Sequence, residues 1–314
     1  MLNLEVHFHY DCSQAAHRES QILKSKLTQV GKQQLELTNL DKILFPELQI
    51  LKAEVIEYYL NIAPTILRHI RNRPLTVVRF PGGIHDKSFF QKNIPATAPK
   101  WVEHCMVGKT DQVICNDAST LVWISSQACL EIHQLPVRRP DLDLADYMVF
   151  DLDPPVDTPF AAVVELGLAL KVLVENHGYH LFAKSTGSKG LHLIAPLERS
   201  FSSERVFAAA QDLAKRFVAE NGSTTTLRIT RAARVEKVLV DIYRNRPGQT
   251  IVAPYSLRAN ESAAVSYPLS WSGLEEVDDQ SALNIQTIPD LLRREGDAWE
   301  GNRSLHHRTA HRTT

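Results

Sequence analysis

The chain of 314 residues carries a formal net charge of −1, and 44% of its residues are hydrophobic. This hydrophobic content is ample for a buried core and excludes a disordered chain, whereas the near-zero charge leaves only local patches for binding nucleic acid. The four cysteines contain no Cys-x-x-Cys pair, and the longest apolar run is interrupted by charges, so a zinc knuckle, a secreted disulfide framework and a membrane span are disfavoured and the cytoplasm is expected.

Residues 1–36 are polar and rich in Gln, Ser and Lys. We predict an N-terminal extension with one helix over about residues 15–28. His7, His9 and Asp11 alternate, which is a spacing that a metal ion could use, but no fourth ligand is near in the sequence. Surface side chains near a terminus are therefore the favoured interpretation.

The next segment contains a short apolar stretch, residues 40–46, that includes Lys42. Lys52 then begins an apolar pattern of helical period, and Pro64 is expected to kink or end this helix. The β-branched run at residues 75–80, with Arg79 in it, predicts a strand.

Two adjacent aromatic residues, Phe89 and Phe90, are flanked by lysines. Such a pair is typical of a core, but it could also form a base-stacking platform. Two strands and a helix are predicted after it, at residues 101–107, 111–115 and 119–134. His133 near the end of this predicted helix is expected to cap its carbonyl groups rather than to reach a ligand.

The most informative stretch is an apolar strand over residues 147–153 that ends in Asp151 and Asp153. Residues two apart in a strand share a face, so the two carboxylates are expected to lie side by side and could bind a divalent cation. A crossover helix is predicted over residues 159–177, since Pro159 favours a helix start and Gly178 a helix end.

A small polar turn joins two further predicted strands, residues 179–184 and 191–195. It carries Ser185, Thr186, Lys189 and His192, which are groups that suit an anionic, oxygen-rich ligand. A solvated hairpin turn remains the alternative interpretation.

A third carboxylate follows a helix predicted over residues 202–220 and a basic cluster that contains Arg234. Here the apolar run 238–240 ends in Asp241. Three carboxylates could hold two divalent ions for an in-line displacement at phosphorus. The sequence therefore favours metal-assisted phosphoryl or nucleotidyl chemistry, although an Asp-x-Asp pair also occurs in turns and caps.

Two families resemble parts of this chain. Residues 150–154, Phe-Asp-Leu-Asp-Pro, resemble the nucleophile loop of haloacid-dehalogenase-type phosphatases. However, Pro155 stands two residues after the second aspartate, where that family has Thr or Val, and about 150 residues precede a motif that usually lies near the N-terminus of its domain.

The closer resemblance, over residues 37–271, is to the polymerase domain of bacterial ATP-dependent DNA ligase D, a member of the archaeo-eukaryotic primase superfamily that acts in non-homologous end joining. Five motifs occur in the same order: Leu37-Thr38-Asn39-Leu40-Asp41-Lys42, Ser88-Phe89-Phe90-Gln91-Lys92, Phe150-Asp151-Leu152-Asp153-Pro154, Lys189-Gly190-Leu191-His192 and Val252-Ala253-Pro254-Tyr255-Ser256-Leu257-Arg258. The Lys-x-Asp-Gly motif of the ligase domain is not found in this sequence.

This resemblance implies an α+β fold of the archaeo-eukaryotic primase type, with an RRM-like catalytic sheet, flanking helices and an N-terminal lobe. The domain would extend over residues 37–300 as one unit. Residues 301–314 would form a basic, disordered tail.

The resemblance also implies a role for each matching residue. The metal-binding catalytic carboxylates would be Asp151, Asp153 and Asp241. The incoming nucleotide, chiefly its triphosphate, would be held by Thr186, Lys189, His192, Arg234 and Arg258. DNA would be bound by Lys42 and Lys52 at a 5'-phosphate, by Phe90 at a template base, and by Arg79.

The implied function is template-directed addition of nucleotides, preferentially ribonucleotides, to DNA 3' ends in short gaps and breaks. Two Mn²⁺ or Mg²⁺ ions would serve as cofactors. Expected partners are DNA with 5'-phosphorylated gaps or ends, nucleoside triphosphates, a Ku-like end binder and a separate ATP-dependent DNA ligase, at the nucleoid of a bacterial or archaeal cell. The non-catalytic alternative is a DNA end-binding protein with the same fold.

Overall fold

The computed structural model of the chain describes residues 25–234 and 236–300. Its strands are β1 (Ser25–Val30), β2 (Gln33–Thr38), β3 (Ile43–Phe45), β4 (Ile50–Leu51), β5 (Pro74–Arg79), β6 (Phe89–Gln91), β7 (His104–Val107), β8 (Thr110–Ile114), β9 (Cys129–Gln134), β10 (Leu144–Asp153), β11 (Phe182–Ser185), β12 (Leu191–Ser202), β13 (Thr225–Thr226), β14 (Val238–Asp241), β15 (Ile251–Val252) and β16 (Pro268–Leu269). Its α-helices are α1 (Lys52–Asn61), α2 (Ala63–Ile70), α3 (Ala118–Ser126), α4 (Phe160–Glu175), α5 (Ser203–Glu220), α6 (Arg231–Arg234), α7 (Trp271–Glu275) and α8 (Ile288–Glu295). None of these helices is long and apolar enough to cross a membrane.

The catalytic sheet has the strand order β13-β14-β10-β12-β11-β16. The central strand β10 pairs antiparallel with β12 on one side and β14 on the other, and its side chains from Tyr147 to Leu152 are buried, which explains the continuous apolar run in the sequence. Helices α4 and α5 pack on this sheet. A Cβ at Gly167 of α4 would lie 2.6 Å from Leu191 Cδ2, so this glycine permits the close approach of helix and sheet.

The crossover prediction is confirmed, because α4 connects β10 to β11 and these two strands run in the same direction on either side of β12. The helix predicted from Lys52 is also confirmed. It ends at Asn61, and Pro64 lies in the first turn of the next helix, where a proline costs no hydrogen bond.

The second sheet has the order β15-β9-β5-β8-β7, and β6 also pairs with β5. The prediction of a helix over residues 119–134 is wrong in its second half. Asp117 caps α3, which ends at Ser126, and Ala128 then adopts a φ of 56° before strand β9. Pairing of β9 with β5 and β15 overrides the local preference for helix, and His133 lies on this strand rather than at a helix end.

The predicted helix over residues 15–28 is wrong for residues 25–28. These residues belong to β1, which forms a hairpin with β2 around Gly31. Val30, Leu35 and Leu37 are buried, and β2 alternates between buried and outward-facing side chains, which is the period of a half-buried strand. The rest of the predicted extension, with His7, His9 and Asp11, and the predicted tail 301–314 lie outside the described residues.

The two sheets belong to one continuous hydrophobic core. Strand β15, from the C-terminal half of the chain, pairs with β9 of the second sheet. The hydroxyl group of Tyr58 in α1 donates to the carbonyl of Tyr255 at 2.8 Å, and that of Tyr59 donates to the carbonyl of Leu130 at 2.6 Å. A cleft lies between the two sheets, and residues from both halves of the chain line it.

Candidate active site and nucleic-acid interface

A row of four polar residues crosses four neighbouring strands of the catalytic sheet. The pairing register aligns Asp241 of β14 with Asp151 of β10, Asp151 with His192 of β12, and His192 with Lys184 of β11. Directly paired residues point to the same face of a sheet, so these side chains share the face that lines the cleft. Asp153, two residues after Asp151, has the same facing.

Asp151 is buried, and the basic side chains around it lie at a distance. Its Oδ1 lies 3.4 Å from His192 Nε2, and its Oδ2 lies 3.5 Å from Arg244 Nε. Burial by itself would raise the pKa of Asp151, but His192, Arg244 and Lys184 lower it to about 2. This carboxylate is therefore ionised at neutral pH.

The other two carboxylates of the site are in different environments. Asp153 Oδ2 accepts a hydrogen bond from Arg234 Nη1 at 2.6 Å. Asp241 Oδ1 accepts one from the backbone N–H of Tyr243 at 2.8 Å, and burial together with the negative charge of Asp151 raises the pKa of Asp241. The ionised form of Asp241 is therefore unfavourable for folding.

His192 lies between a carboxylate and a buried lysine. Burial and the nearby Lys184 lower the pKa of His192 to about 4, although Asp151 acts in the opposite direction. Its Nδ1 is buried and has no hydrogen-bond partner among the described residues. The neutral ring thus retains an unused polar atom beside the carboxylates.

The predicted phosphate-binding turn, residues 186–190, is held in place from the C-terminal part of the chain. Gln280 accepts from the N–H of Gly187 at 3.1 Å and donates to the carbonyl of Gly190 at 2.9 Å. Thr186 Oγ1 accepts from the N–H of Gly190 at 3.2 Å. Gly187 has a φ of 66°, a conformation that favours glycine. The threonine hydroxyl group therefore shapes the turn, while Lys189 is exposed to the cleft.

Arg258 connects this turn to the second sheet. Its Nη1 donates to the carbonyl of Thr186 at 3.0 Å, and its Nε donates to Glu131 Oε1 at 3.0 Å. The other oxygen of Glu131 contacts His133 Nε2 at 2.9 Å. Burial would raise the pKa of Glu131, but His133 and Arg258 lower it to about 2. Sequence reasoning missed Glu131, and it misassigned His133, which lines the cleft.

The cleft has a volume of about 770 Å³. It is lined by all eight residues predicted to bind metal ions or the nucleotide: Asp151, Asp153, Thr186, Lys189, His192, Arg234, Asp241 and Arg258. The structure brings these residues together, whereas their individual roles stay predictions. The DNA-binding residues predicted from the resemblance lie outside this lining.

Three cationic side chains form a second cluster at the N-terminal lobe. Burial and the positive charges of Lys42 and Arg79 lower the pKa of Lys52, whose Nζ donates to the carbonyl of Thr38 at 2.6 Å. Lys42 is exposed, and Arg79 donates to the carbonyl of Gln127 at 2.8 Å. A cluster of like charges of this kind favours an anionic ligand.

Phe89 and Phe90 are not core residues, since 46% and 64% of their surfaces are exposed. Phe90 contacts the His133 ring with 5.9 Å between centroids, so it stands at the edge of the cleft. The Arg79 guanidinium lies 5.4 Å from the centre of the Phe89 ring. Exposure favours the stacking platform over the core interpretation.

The carboxylates fit divalent ions by chemistry, because hard oxygen ligands suit Mg²⁺ and Mn²⁺. Among the described residues, however, no three His, Cys, Asp or Glu side chains converge to hold a metal ion. In the structure Asp153 Oδ2 bonds to Arg234, and Asp151 lies near His192 and Arg244.

Known proteins resemble this chain over most of its length. A family model for the LigD primase-polymerase domain matches residues 51–299. The multifunctional non-homologous end joining DNA repair protein LigD of Mycobacterium tuberculosis is 34% identical over 285 residues, which cover 86% of this chain and 37% of that protein. The bifunctional LigD of Bacillus subtilis is 32% identical over 267 residues, with 83% and 43% covered. This chain therefore spans less than half the length of these relatives.

A solved structure, the polymerase domain from Mycobacterium tuberculosis ligase D in complex with DNA, matches with a TM-score of 0.80 and 33% sequence identity. The match covers 87% of this chain and 99% of that one. It confirms the predicted primase-type fold and gives the phosphatase alternative no support. A polymerase domain of this type implies dependence on divalent metal ions. The chain thus belongs to the LigD primase-polymerase domain family of nucleotidyltransferases.

Proposed function

We propose that this chain extends DNA 3' ends under the direction of a template, filling short gaps and breaks in non-homologous end joining. The observation that carries the proposal is the row of Asp241, Asp151 and His192 beside the turn 186–190, around one cleft of about 770 Å³. Carboxylates next to a cationic cradle for phosphates suit nucleotidyl transfer.

Asp151, Asp153 and Asp241 would hold two Mn²⁺ or Mg²⁺ ions. Bound there, the ions would acidify the primer 3'-hydroxyl and offset negative charge on the phosphates. Because Asp241 lies at the end of the row away from the turn 186–190, it is the carboxylate that we assign to the primer side. The ionised state of Asp151 at neutral pH supports its proposed role as a metal ligand.

The triphosphate would contact the opposite side of the cleft. Lys189 is exposed and offers a point charge. Arg258 is held by Glu131 and Thr186 and offers its remaining guanidinium N–H groups. Arg234 would exchange Asp153 for a phosphate. Thr186 supports this binding by shaping the turn. The Nδ1 of His192, which has no hydrogen-bond partner among the described residues, would be a further polar contact for an oxygen-rich ligand.

The DNA end would bind across the N-terminal lobe. Lys42, Lys52 and Arg79 form a cluster of like charges that a terminal 5'-phosphate would neutralise. Phe90, exposed at the edge of the cleft, offers its ring to a template base. A Ku-like end binder and an ATP-dependent ligase would act with the chain at the nucleoid, bridging the ends and sealing the extended strand.

The decisive experiment is extension of a labelled primer across a short gap with a 5'-phosphate. Mn²⁺ and each ribonucleotide or deoxyribonucleotide are supplied separately, and Asp151→Ala is the control. We expect templated addition that favours ribonucleotides and is lost in the control. Tight DNA binding without any addition would overturn the proposal in favour of a non-catalytic end binder.

The 5'-phosphate pocket is tested by measuring affinity for gapped DNA with a 5'-phosphate or a 5'-hydroxyl group. The phosphate should increase affinity about tenfold, and Lys42→Gln should remove most of this difference. Lys215→Gln, an exposed lysine on α5, is the matched control and should leave the difference unchanged. Equal affinity of the unaltered protein for both DNAs would remove the pocket from the proposal.

A further inference from the structure

Arg244 occupies the gap between two of the catalytic carboxylates. Its Nε lies 3.5 Å from Asp151 Oδ2 and 3.7 Å from Asp241 Oδ2. The resemblance to ligase D polymerase domains assigned no role to this residue, and its position beside Asp151 and Asp241 was not visible in the sequence. Its side chain is 41% exposed and also lines the cleft. Among the described residues it is the cation that lies within 4 Å of both Asp151 and Asp241.

The main chain fixes the place from which Arg244 reaches the carboxylates. Arg244 belongs to a 3₁₀ turn, Tyr243–Asn245, that directly follows β14. The N–H of Tyr243 donates to Asp241 Oδ1 at 2.8 Å. Asn245 is buried and bonds to both the N–H and the carbonyl of Val149 in β10, at 2.8 and 2.7 Å. The turn is thus anchored on both strands that carry the carboxylates.

The contacts of Arg244 with the carboxylates are long. Distances of 3.5 and 3.7 Å exceed the usual length of a charge-assisted hydrogen bond, about 2.7–2.9 Å. Arg234 and Asp153, in the same cleft, approach to 2.6 Å. Arg244 therefore supplies charge to the pair without closing a directed ion pair. Because the Arg244 side chain is partly exposed to water, little free energy is needed to move it away from the carboxylates.

Two neighbouring carboxylates need such a charge when they are buried. Asp151 and Asp241 are directly paired across β10 and β14, so their negative charges repel each other. The Arg244 guanidinium group lies within 4 Å of both carboxylates and offsets this repulsion. A divalent ion bound by the same two carboxylates would have to take the place of this guanidinium group. The ion would then supply the positive charge that the guanidinium group supplies in its absence.

We propose that Arg244 is the resident counter-ion of the Asp151–Asp241 pair, which a divalent ion displaces into the cleft. This inference rests on the proposed function, since it concerns the metal ligands assigned there. In the metal-free protein Arg244 compensates part of the negative charge of both carboxylates. For the same reason it competes with the metal ion, so this residue sets the metal concentration at which the site fills.

The test is a titration with Mn²⁺ alone, without nucleotide or DNA, in which free Mn²⁺ is measured by electron paramagnetic resonance. Arg244→Gln should bind Mn²⁺ about tenfold more tightly than the unaltered protein, because the competing charge is gone. Arg244→Lys keeps a cation at the position and should bind with nearly unaltered affinity.

The matched control is Arg246→Gln, which removes the same charge two residues further on. Arg246 stacks on the rings of Tyr243 and Phe207, with 4.3 and 4.7 Å to the ring centres, and does not belong to the cleft lining. Its Mn²⁺ affinity should stay within about twofold of the unaltered protein.

Thermal unfolding gives an independent measurement on the same proteins. In a chelator, Arg244→Gln should melt at a lower temperature than Arg246→Gln, because the carboxylates then repel each other without compensation. Added Mn²⁺ should raise the melting temperature of Arg244→Gln by more than that of the unaltered protein, as tighter binding to the native state requires.

The outcomes separate this inference from the proposed function. If Arg244→Gln binds Mn²⁺ with equal or lower affinity, or if the Lys variant binds as tightly as the Gln variant, Arg244 is not a competing counter-ion. If the unaltered protein and Asp151→Asn bind Mn²⁺ equally, the metal site itself is absent and the proposed function fails. Loss of binding in Asp151→Asn with no change in Arg244→Gln removes only the present inference.

Discussion

Two buried carboxylates in this molecule have similar acidity and opposite surroundings. Asp297, at the junction of the C-terminal segment with α2, contacts His69 Nε2 at 2.7 Å and accepts from the Tyr255 hydroxyl group at 2.9 Å and from the N–H of Trp299 at 3.0 Å. Asp151 has no contact with a cationic group shorter than 3.4 Å among the described residues. The surroundings hold the pKa of each at about 2.

The difference teaches how to distinguish a structural charge from a functional one. Around Asp297 every partner is at hydrogen-bond length, so a ligand could add nothing. Around Asp151 the positive charge is supplied at a distance and the side chain opens onto the cleft. Within the part of the chain that the structure describes, the neighbouring Nδ1 of His192 has no hydrogen-bond partner. A low pKa is common to both sites, and the completeness of the hydrogen bonds separates them.

The largest expected effect is a loss of activity without a loss of stability, from a change at the carboxylate paired with Asp151. Asp241→Asn should lower primer extension about 10³-fold, because a metal ligand loses its charge. Its melting temperature should not fall, since burial and Asp151 raise the pKa of Asp241 and make its charge costly. Extension assays and calorimetry on the same preparation measure both effects, with the exposed Asp157→Asn as control. A variant that keeps extension would refute the assignment of Asp241.

The junction side should respond in the opposite way. Asp297→Asn should destabilise the protein by about 3 kcal/mol, because it breaks a buried pair with His69. Extension by the folded fraction should be retained, since Asp297 is not part of the cleft lining. Urea unfolding measures the loss. Asp278→Asn, an exposed carboxylate, should change the free energy of unfolding by less than about 0.5 kcal/mol. An equal change in both variants would contradict the structural role.

Acid should reveal the same contribution in the unaltered protein. The folded-state pKa of Asp297 lies below its ordinary value of 3.8, because the hydrogen bonds and charge of His69 outweigh the cost of burial. Its contribution is therefore complete above pH 3.8 and is lost as the pH falls towards 2, by about 2 kcal/mol. Urea unfolding at pH 5 and pH 3 should show about half of this loss, about 1 kcal/mol, because pH 3 still lies above the folded-state pKa. A smaller pH dependence is expected in Asp297→Asn, and an identical one would assign the effect to other groups.

The smallest expected effect sharpens the comparison. Tyr255→Phe removes only the hydroxyl group that donates to Asp297 Oδ1. We expect a loss of about 1 kcal/mol in the free energy of unfolding and unchanged extension. Tyr267→Phe, whose ring packs on Tyr255 with 5.6 Å between centroids, is the comparison variant. A loss in Tyr255→Phe as large as in Asp297→Asn would mean that the hydroxyl group organises the whole junction.

Much of the candidate site could be predicted from the sequence, because its carboxylates obey a local pattern. An apolar strand that ends in Asp151 and Asp153, and a second that ends in Asp241, are visible without knowledge of the fold. That Asp151 and Asp241 face each other depends on pairing between strands 90 residues apart. Gln280, which fixes the turn 186–190, is equally distant in sequence, and no local signal identifies it.

The errors in the fold have similar causes. Residues 119–134 contain neither glycine nor proline, and Ala128 adopts a positive φ without the residue that usually marks one. Strand β9 exists because β5 and β15 flank it. Because no glycine or proline marks the end of the helix in the sequence, His133 was predicted at a helix end. In the structure His133 and Arg258 both contact Glu131.

The pairing of β15 with β9 limits how the enzyme could move. The N–H of Ala253 donates to the carbonyl of Ile132, and the N–H of Ile132 donates to Ser256 Oγ, both at 2.8 Å. Rotation about a hinge between the lobes would break these bonds together with the ladder. We therefore expect the cleft to be formed before any ligand binds, with adjustment confined to side chains and loops.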